Sequence, residues 1–162
     1  VYGTTLLDEL AEAYHHGVVD ESGLLQRDAF EHGILKDDIV ITQDTVRQLQ
    51  LAKAAIRTGI ELAAYELRLP LQEISQVYLA GGFGFYLNPE SAYCLGLLPE
   101  EFRGKLKIAG NTSLKGAVLA LTEPERMLKL PENMKNSKVM DLSLNKNFQE
   151  FFVHRLSFPP NH

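Results

Sequence analysis

Apolar and polar positions along the chain alternate in two distinct rhythms. Leu6, Leu7, Leu10 and Tyr14 recur at helical spacing, which predicts a helix over 4–16. Thr4 or Thr5 is its expected cap, Asp8 and Glu9 lie early, and Gly17 after His15-His16 is its expected left-handed stop. A longer helix is predicted over 42–68. It has Thr42 at the cap and Val46, Leu49, Lys53, Ile56, Ile60, Ala63 and Leu67 on one face, and Pro70 ends it. Its middle is rich in small residues (Ala52, Ala54, Ala55, Gly59, Ala63, Ala64), which lets a neighbouring backbone or a flat ligand come close.

The second rhythm is a short apolar run that stops at glycine. Val77-Tyr78-Leu79-Ala80 reads as a buried strand feeding into Gly81-Gly82-Phe83-Gly84, and Asn88-Pro89 then starts a helix that runs to Gly96. Leu106-Lys107-Ile108-Ala109 repeats the pattern, with Gly110-Asn111 as the turn and a helix from Thr112. A strand, crossover helix, strand succession implies parallel neighbours with both glycine turns at one sheet edge. Ligands of open α/β sheets bind at that edge, and glycine lets the backbone approach them with no Cβ in the way. The plainer alternative is that Gly81, Gly82 and Gly110 only make tight turns. Lys53 either snorkels to water or meets a ligand.

Elsewhere the pattern is weaker. Residues 17–41 are irregular, with turns at 20–23 and at Gly33 and a short strand at Ile39-Val40-Ile41; they form a lid or a surface excursion. A helix is expected over 124–130, a polar loop over 131–137, an edge strand over 139–142, a helix over 145–152, an extended piece at 156–158 and a frayed end at 159–162.

With 162 residues, 45% apolar and 23% charged, the chain suits one domain with its own core. A net charge of −5 without a basic stripe argues against nucleic acid. No apolar run is long enough for a membrane span, no signal peptide is visible, and one cysteine, Cys94, fits a reducing cytoplasmic compartment. Cys94 reads as a small hydrophobe, and His15-His16, adjacent on a helix and without a third ligand nearby, reads as no metal site. Asp8 and Asp44 have helix N-terminal explanations, so no general base is named. The chain begins at Val1 and enters a helical pattern at once, and the expectation is a single domain over 1–162 cut from a longer polypeptide.

The order of these pieces resembles the C-terminal half of the reductive activators of corrinoid proteins, actin-like ATPases of the ASKHA group. The resemblance rests on Ile41-Thr42-Gln43-Asp44, Gln48 to Ile56 and Gly59-Ile60; on Val77 to Gly84 with Tyr86-Leu87; on Gly96-Leu97-Leu98-Pro99; and on Gly110-Asn111, Ser113-Leu114 and Gly116-Ala117. Gly3 to Asp8, with Val18-Val19-Asp20 and Ser22-Gly23, is similar to an upstream segment, where Thr5 replaces a usual glycine. The resemblance implies an α/β, ribonuclease-H-like, actin-like ATPase lobe with a partial parallel sheet flanked by helices. It implies ATP, with Mg in the full-length protein, held at Gly81, Gly82, Phe83, Gly110 and Asn111, with Gln50 and Lys53 facing adenine and ribose. It implies help in reducing cobalt(II) corrinoid to cobalt(I) in a methyltransferase system. The partners implied are a corrinoid protein and the remaining lobe of the same polypeptide, and a homodimer is compatible with it. The family's iron–sulfur cluster would sit in an N-terminal part, since Cys94 stands alone. The isolated chain is expected to be inactive. The rival expectations are a non-catalytic docking or dimerisation module and a lobe of another actin-fold kinase.

Overall fold

A computed structural model describes residues 2–36, 39–128, 130–135 and 137–160. The chain forms helix α1 (Tyr2–His15), helix α2 (Arg27–His32), strands β1 (Ile34–Lys36) and β2 (Ile39–Ile41), and the long helix α3 (Gln43–Glu66). Strand β3 (Val77–Ala80), helices α4 (Gly81–Tyr86) and α5 (Pro89–Cys94), strand β4 (Leu106–Gly110) and helix α6 (Thr112–Thr122) follow. Helices α7 (Pro124–Met127), α8 (Leu130–Met134) and α9 (Phe148–His154) complete the order.

The expected parallel sheet is present. Strands β3 and β4 run parallel, with Val77 opposite Leu106, Leu79 opposite Ile108 and, after a one-residue irregularity, Ala80 opposite Gly110. Val77, Leu79 and Leu106 pack on the core, whose centre is built by Leu7, Leu10 and Tyr14 of α1, Val46 of α3, Ala92 and Tyr93 of α5, and Leu95, Leu97, Leu98 and Phe102. Alternation along a strand turns Tyr78 outward, where it is 61% exposed.

Several local expectations hold for the reasons given. Thr42 caps α3 in a reciprocal pair with Thr45, and the helix closes at Leu67 ahead of Pro70. Asn88 accepts from Glu90 N at the start of α5, and Gly17, at φ +69°, ends α1 by donating to Tyr14.

Other expectations are corrected. Helix α1 starts at Tyr2, so Thr4 lies inside it and is buried, and Thr5 lies inside it as well; neither is the expected cap. The irregular stretch contains helix α2 and pairs β1 with β2 as an antiparallel hairpin. The polar loop at 131–137 is crossed by α8, because Pro131 is tolerated in a helix's first turn. No strand forms over 139–142: Val139 is fully exposed and Leu142–Leu144 make a short 3-10 turn. The last helix is shifted to 148–154.

The buried face of α3 differs from the predicted stripe. Val46, Gln50, Lys53, Ala54, Thr58, Glu61, Leu62 and Ala64 are buried, whereas Ile56 is 46% and Leu67 71% exposed. The helix is rotated toward its polar residues because most of these find hydrogen-bond partners there. The small-residue stretch serves packing at Gly59, where an added Cβ would lie 3.5 Å from Leu142 Cδ1.

The expected frayed end is ordered through Pro160; Asn161 and His162 lie outside the described residues. Residues 156–160 form a strap across α1 and α3. Phe158 is buried, donates its amide to Glu21 O at 2.8 Å, and sets its ring 5.2 Å from that of Tyr14. The Tyr14 hydroxyl donates to Pro159 O.

Candidate functional site

The parallel pairing of β3 and β4 brings the two glycine turns side by side. Gly81 leaves β3 at φ +82° and Gly110 ends β4 at φ +70°, both in the region that favours glycine. A Cβ added at Gly81 or Gly82 would meet no atom within 4 Å. The main chain there borders open space, as a cradle for a bound group would. At Gly110 an added Cβ would approach Phe85 Cδ2 at 3.8 Å and Lys115 Nζ at 3.9 Å.

Lys115 escaped the sequence reading. Its ammonium returns one turn along α6 to Ala109 O at 2.7 Å and sits beside the Gly110 turn. A basic residue one turn inside a helix that follows strand and glycine is the signal that could have found it. The side chain of Asn111 is committed to structure, accepting from Leu114 N at 2.9 Å as the cap of α6. The Phe83 ring is 48% exposed and rests against the α-carbon of Gly3, where a Cβ would lie 3.6 Å from Phe83 Cε2. The turns thus offer open backbone, an aromatic face and an amine.

Gln50 and Lys53 lie elsewhere, under the strap. Gln50 is 2% exposed and fully engaged. Its amide donates to Ser22 O at 2.9 Å and Leu156 O at 3.1 Å, and its oxygen accepts from Arg47 at 2.9 Å. Gly23, at φ +82°, leaves room for it, since a Cβ there would sit 2.4 Å from Gln50 Nε2. Lys53, 2% exposed, donates to Ser157 O and places its nitrogen 5.2 Å from the Phe158 ring centre. Burial first, then the nearby charges of Arg57 and Arg155, push its pKa down to about 7.

A pocket of about 720 Å³ adjoins the strap, lined by Lys53, Arg57, Arg155, Tyr93 and Phe158 among others; the glycine turns do not line it. Its cations are largely matched. Glu61, 7% exposed, takes Arg57 at 2.6 Å and Arg155 at 2.9 Å, and Arg103 is bound by Glu90 and Glu100. Cys94 also borders it, and burial raises its thiol pKa, which suits an inert side chain. Among the described residues no cluster of His, Cys, Asp and Glu could hold a metal ion, and none of their helices is long and apolar enough to cross a membrane.

A small parallel sheet flanked by helices, with glycine turns at one edge, defines an α/β lobe of the actin-like ASKHA kind. The chain matches over residues 1–162 the family described as the C-terminal domain of RACo, the ASKHA domain, and it belongs to that family of reductive activators of corrinoid proteins. A solved structure, the reductive activator for corrinoid,iron-sulfur protein, superposes with a TM-score of 0.82 at 32% identity, over 97% of this chain and 28% of that one. The corrinoid activation enzyme RamQ of Eubacterium limosum is 39% identical over 88 residues, 54% of this chain and 15% of its own length. The [Co(II) methylated amine-specific corrinoid protein] reductase of Methanosarcina barkeri is 26% identical over 160 residues, 98% of this chain and 29% of its own. The chain therefore spans less than a third of each.

Proposed function

We propose that this chain is the adenosine-binding lobe of a longer, ATP-dependent reductive activator that helps return a corrinoid protein's cobalt(II) to cobalt(I). The observation that carries the reading is the register that sets Ala80 opposite Gly110, so that two glycine turns share one sheet edge. Gly81 and Gly82 would let main-chain amides reach the sugar and α-phosphate, because no Cβ stands there. Phe83 would offer a face to the nucleoside, and Gly110 with Asn111 would complete the floor. Lys115, already poised beside Gly110, would offset phosphate charge. The open space beside Gly81 and Gly82 supports this reading, since an added Cβ there would meet no atom within 4 Å. Mg²⁺ would arrive with the triphosphate, whose charge the bound ion neutralises.

Gln50 and Lys53 hold the strap and join the site only if the strap shifts. Iron–sulfur clusters are held by several cysteines, and with one cysteine in the sequence this chain does not fit such a cluster. Its contribution is to bind and orient nucleotide, while electron transfer would belong to other parts of the activator.

The test is calorimetric titration of the full-length activator with MgATP, repeated with Gly82→Ala. The new methyl meets no protein atom, and alanine is the better helix former by about 1 kcal/mol. Stability should hold or rise while ATP affinity falls about tenfold or more, a loss of ~1.4 kcal/mol. Equal affinity in the two proteins would remove the glycine turn from the nucleotide site. Absence of binding heat and of any thermal shift would favour a docking module instead.

A further inference from the structure

The pocket beside the strap has two unlike walls. Along residues 100–103 its charge is balanced or acidic. Arg103 spends its guanidinium on Glu90 and Glu100, and Glu101 adds a further carboxylate. The wall made by α3 and the strap is cationic. Arg57 gives its Nε to one oxygen of Glu61 at 2.6 Å, and Arg155 gives its Nε to the other at 2.9 Å. The terminal nitrogens of both guanidinium groups meet no acceptor among the described residues, so each fork keeps its outer donors unspent. Lys53 donates to Ser157 O and has no carboxylate partner among the described residues. Three basic side chains thus share one acid at this wall. Burial and the charges of Arg57 and Arg155 already push the Lys53 pKa down to about 7, the response of a cation that faces like charge with too little opposing it.

We infer that this wall binds the head of a small organic oxyanion, a carboxylate or a phosphate ester, whose body lies against the aromatic side chains of the same pocket. Unspent guanidinium donors match two oxygens of such a head at once, which a single ammonium does not. A half-buried wall with excess positive charge attracts an anion more strongly than an exposed one, because water screens it less. Phe158 and Tyr93 supply the apolar surface. The Tyr93 hydroxyl is buried and has no partner among the described residues, and a polar group of the ligand would satisfy it. A cavity of about 720 Å³ suits a small organic molecule. The glycine turns do not line this pocket, so the inference stands apart from the nucleotide reading.

The experiment is calorimetric titration of the full-length activator with phenyl phosphate and, separately, with benzoate. Benzamide, the neutral isostere of benzoate, is the control. At least one of the two anions should bind, and the tighter one assigns the head as phosphate or carboxylate. Arg155→Gln should weaken that anion about tenfold or more, while Gly82→Ala should leave it unchanged. No heat from either anion at millimolar concentration overturns the inference, as does benzamide binding as tightly as benzoate. Native affinity in Arg155→Gln overturns it too, and a loss in Gly82→Ala would move the anion to the glycine turns with the same result. Because Arg155→Gln also removes a partner of Glu61, a second readout uses the native side chains. Cys94 borders the pocket, so saturating anion should slow its alkylation, followed by mass spectrometry at position 94. An unaltered rate overturns the inference. A failed ATP titration would sink the nucleotide reading and leave both of these readouts standing.

Discussion

At the scale of single residues, Lys53 ties stability to pH. Folded, its amine titrates at about 7; its ordinary value is 10.5. Between those values the unfolded chain binds a proton that the native chain does not, so stability rises with pH across this window, by at most about 1.4 kcal/mol per unit. Below about pH 7 both states are protonated and that contribution is gone. Cys94, Tyr14 and Tyr93, whose pKa values burial raises, act in the opposite sense at higher pH and cancel in a comparison that changes Lys53 alone. Native protein should therefore gain stability relative to Lys53→Met as pH climbs from about 7 toward 9. Urea midpoints measured across that range decide it, and parallel curves for the two proteins would show that Lys53 stays charged when buried. The same residue shows why part of the site was illegible in sequence. A lysine beside an apolar stripe reads equally as a ligand contact or as a snorkelling side chain. Which one holds depends on Ser157 and Phe158, more than a hundred positions away.

Elements whose signals are local were readable. Thr42 and Asn88 cap the helices they precede because a side-chain oxygen meets an amide within three residues. The β3 and β4 units follow from apolar runs that end at glycine, and the parallel pairing follows from the helices between them. The helix over 130–134 turns on a proline tolerated in its first turn and residues 142–144 make only a short 3-10 turn, whereas the rotation of α3 went unread because it depends on distant partners. Glu61 is the clearest case. It reads as a surface acid on a helix, yet it is 7% exposed and bridges Arg57 of its own helix to Arg155 just beyond α9. Replacing it by glutamine keeps the shape and removes the charge, leaving two guanidinium groups without their carboxylate. Glu61→Gln should cost about 1.5–3 kcal/mol, the range for a hydrogen bond to a charged group. Hydrogen exchange should report the loss first in α9, which packs along α3. Uniform exchange across the chain would mean that the ion pair does not fasten that helix.

For the whole molecule, the strap matters as much as the sheet. Phe158 is 3% exposed and joins α1, through Tyr14, to α3, through Lys53. Its truncation to alanine removes a buried ring from the junction of those helices, and Phe158→Ala should cost about 3–5 kcal/mol. Thermal or denaturant unfolding measures it, and a loss under about 1 kcal/mol would reduce the strap to a surface decoration. The sequence hid this feature because a short Ser-Phe-Pro-Pro run has neither rhythm nor propensity to announce it; its order comes wholly from the surfaces it lands on.

Those surfaces belong to stretches synthesised long before the strap. Gln50 and Lys53 wait for carbonyls 106 and 104 positions downstream, and Tyr14 for one 145 positions on. During translation, helices α1 and α3 therefore leave the ribosome with a polar, half-built seam between them. Contacts of such long range form slowly, so a nascent chain keeps this seam open to misassembly until the strap emerges. The seam between those helices closes only when Phe158 drops into place.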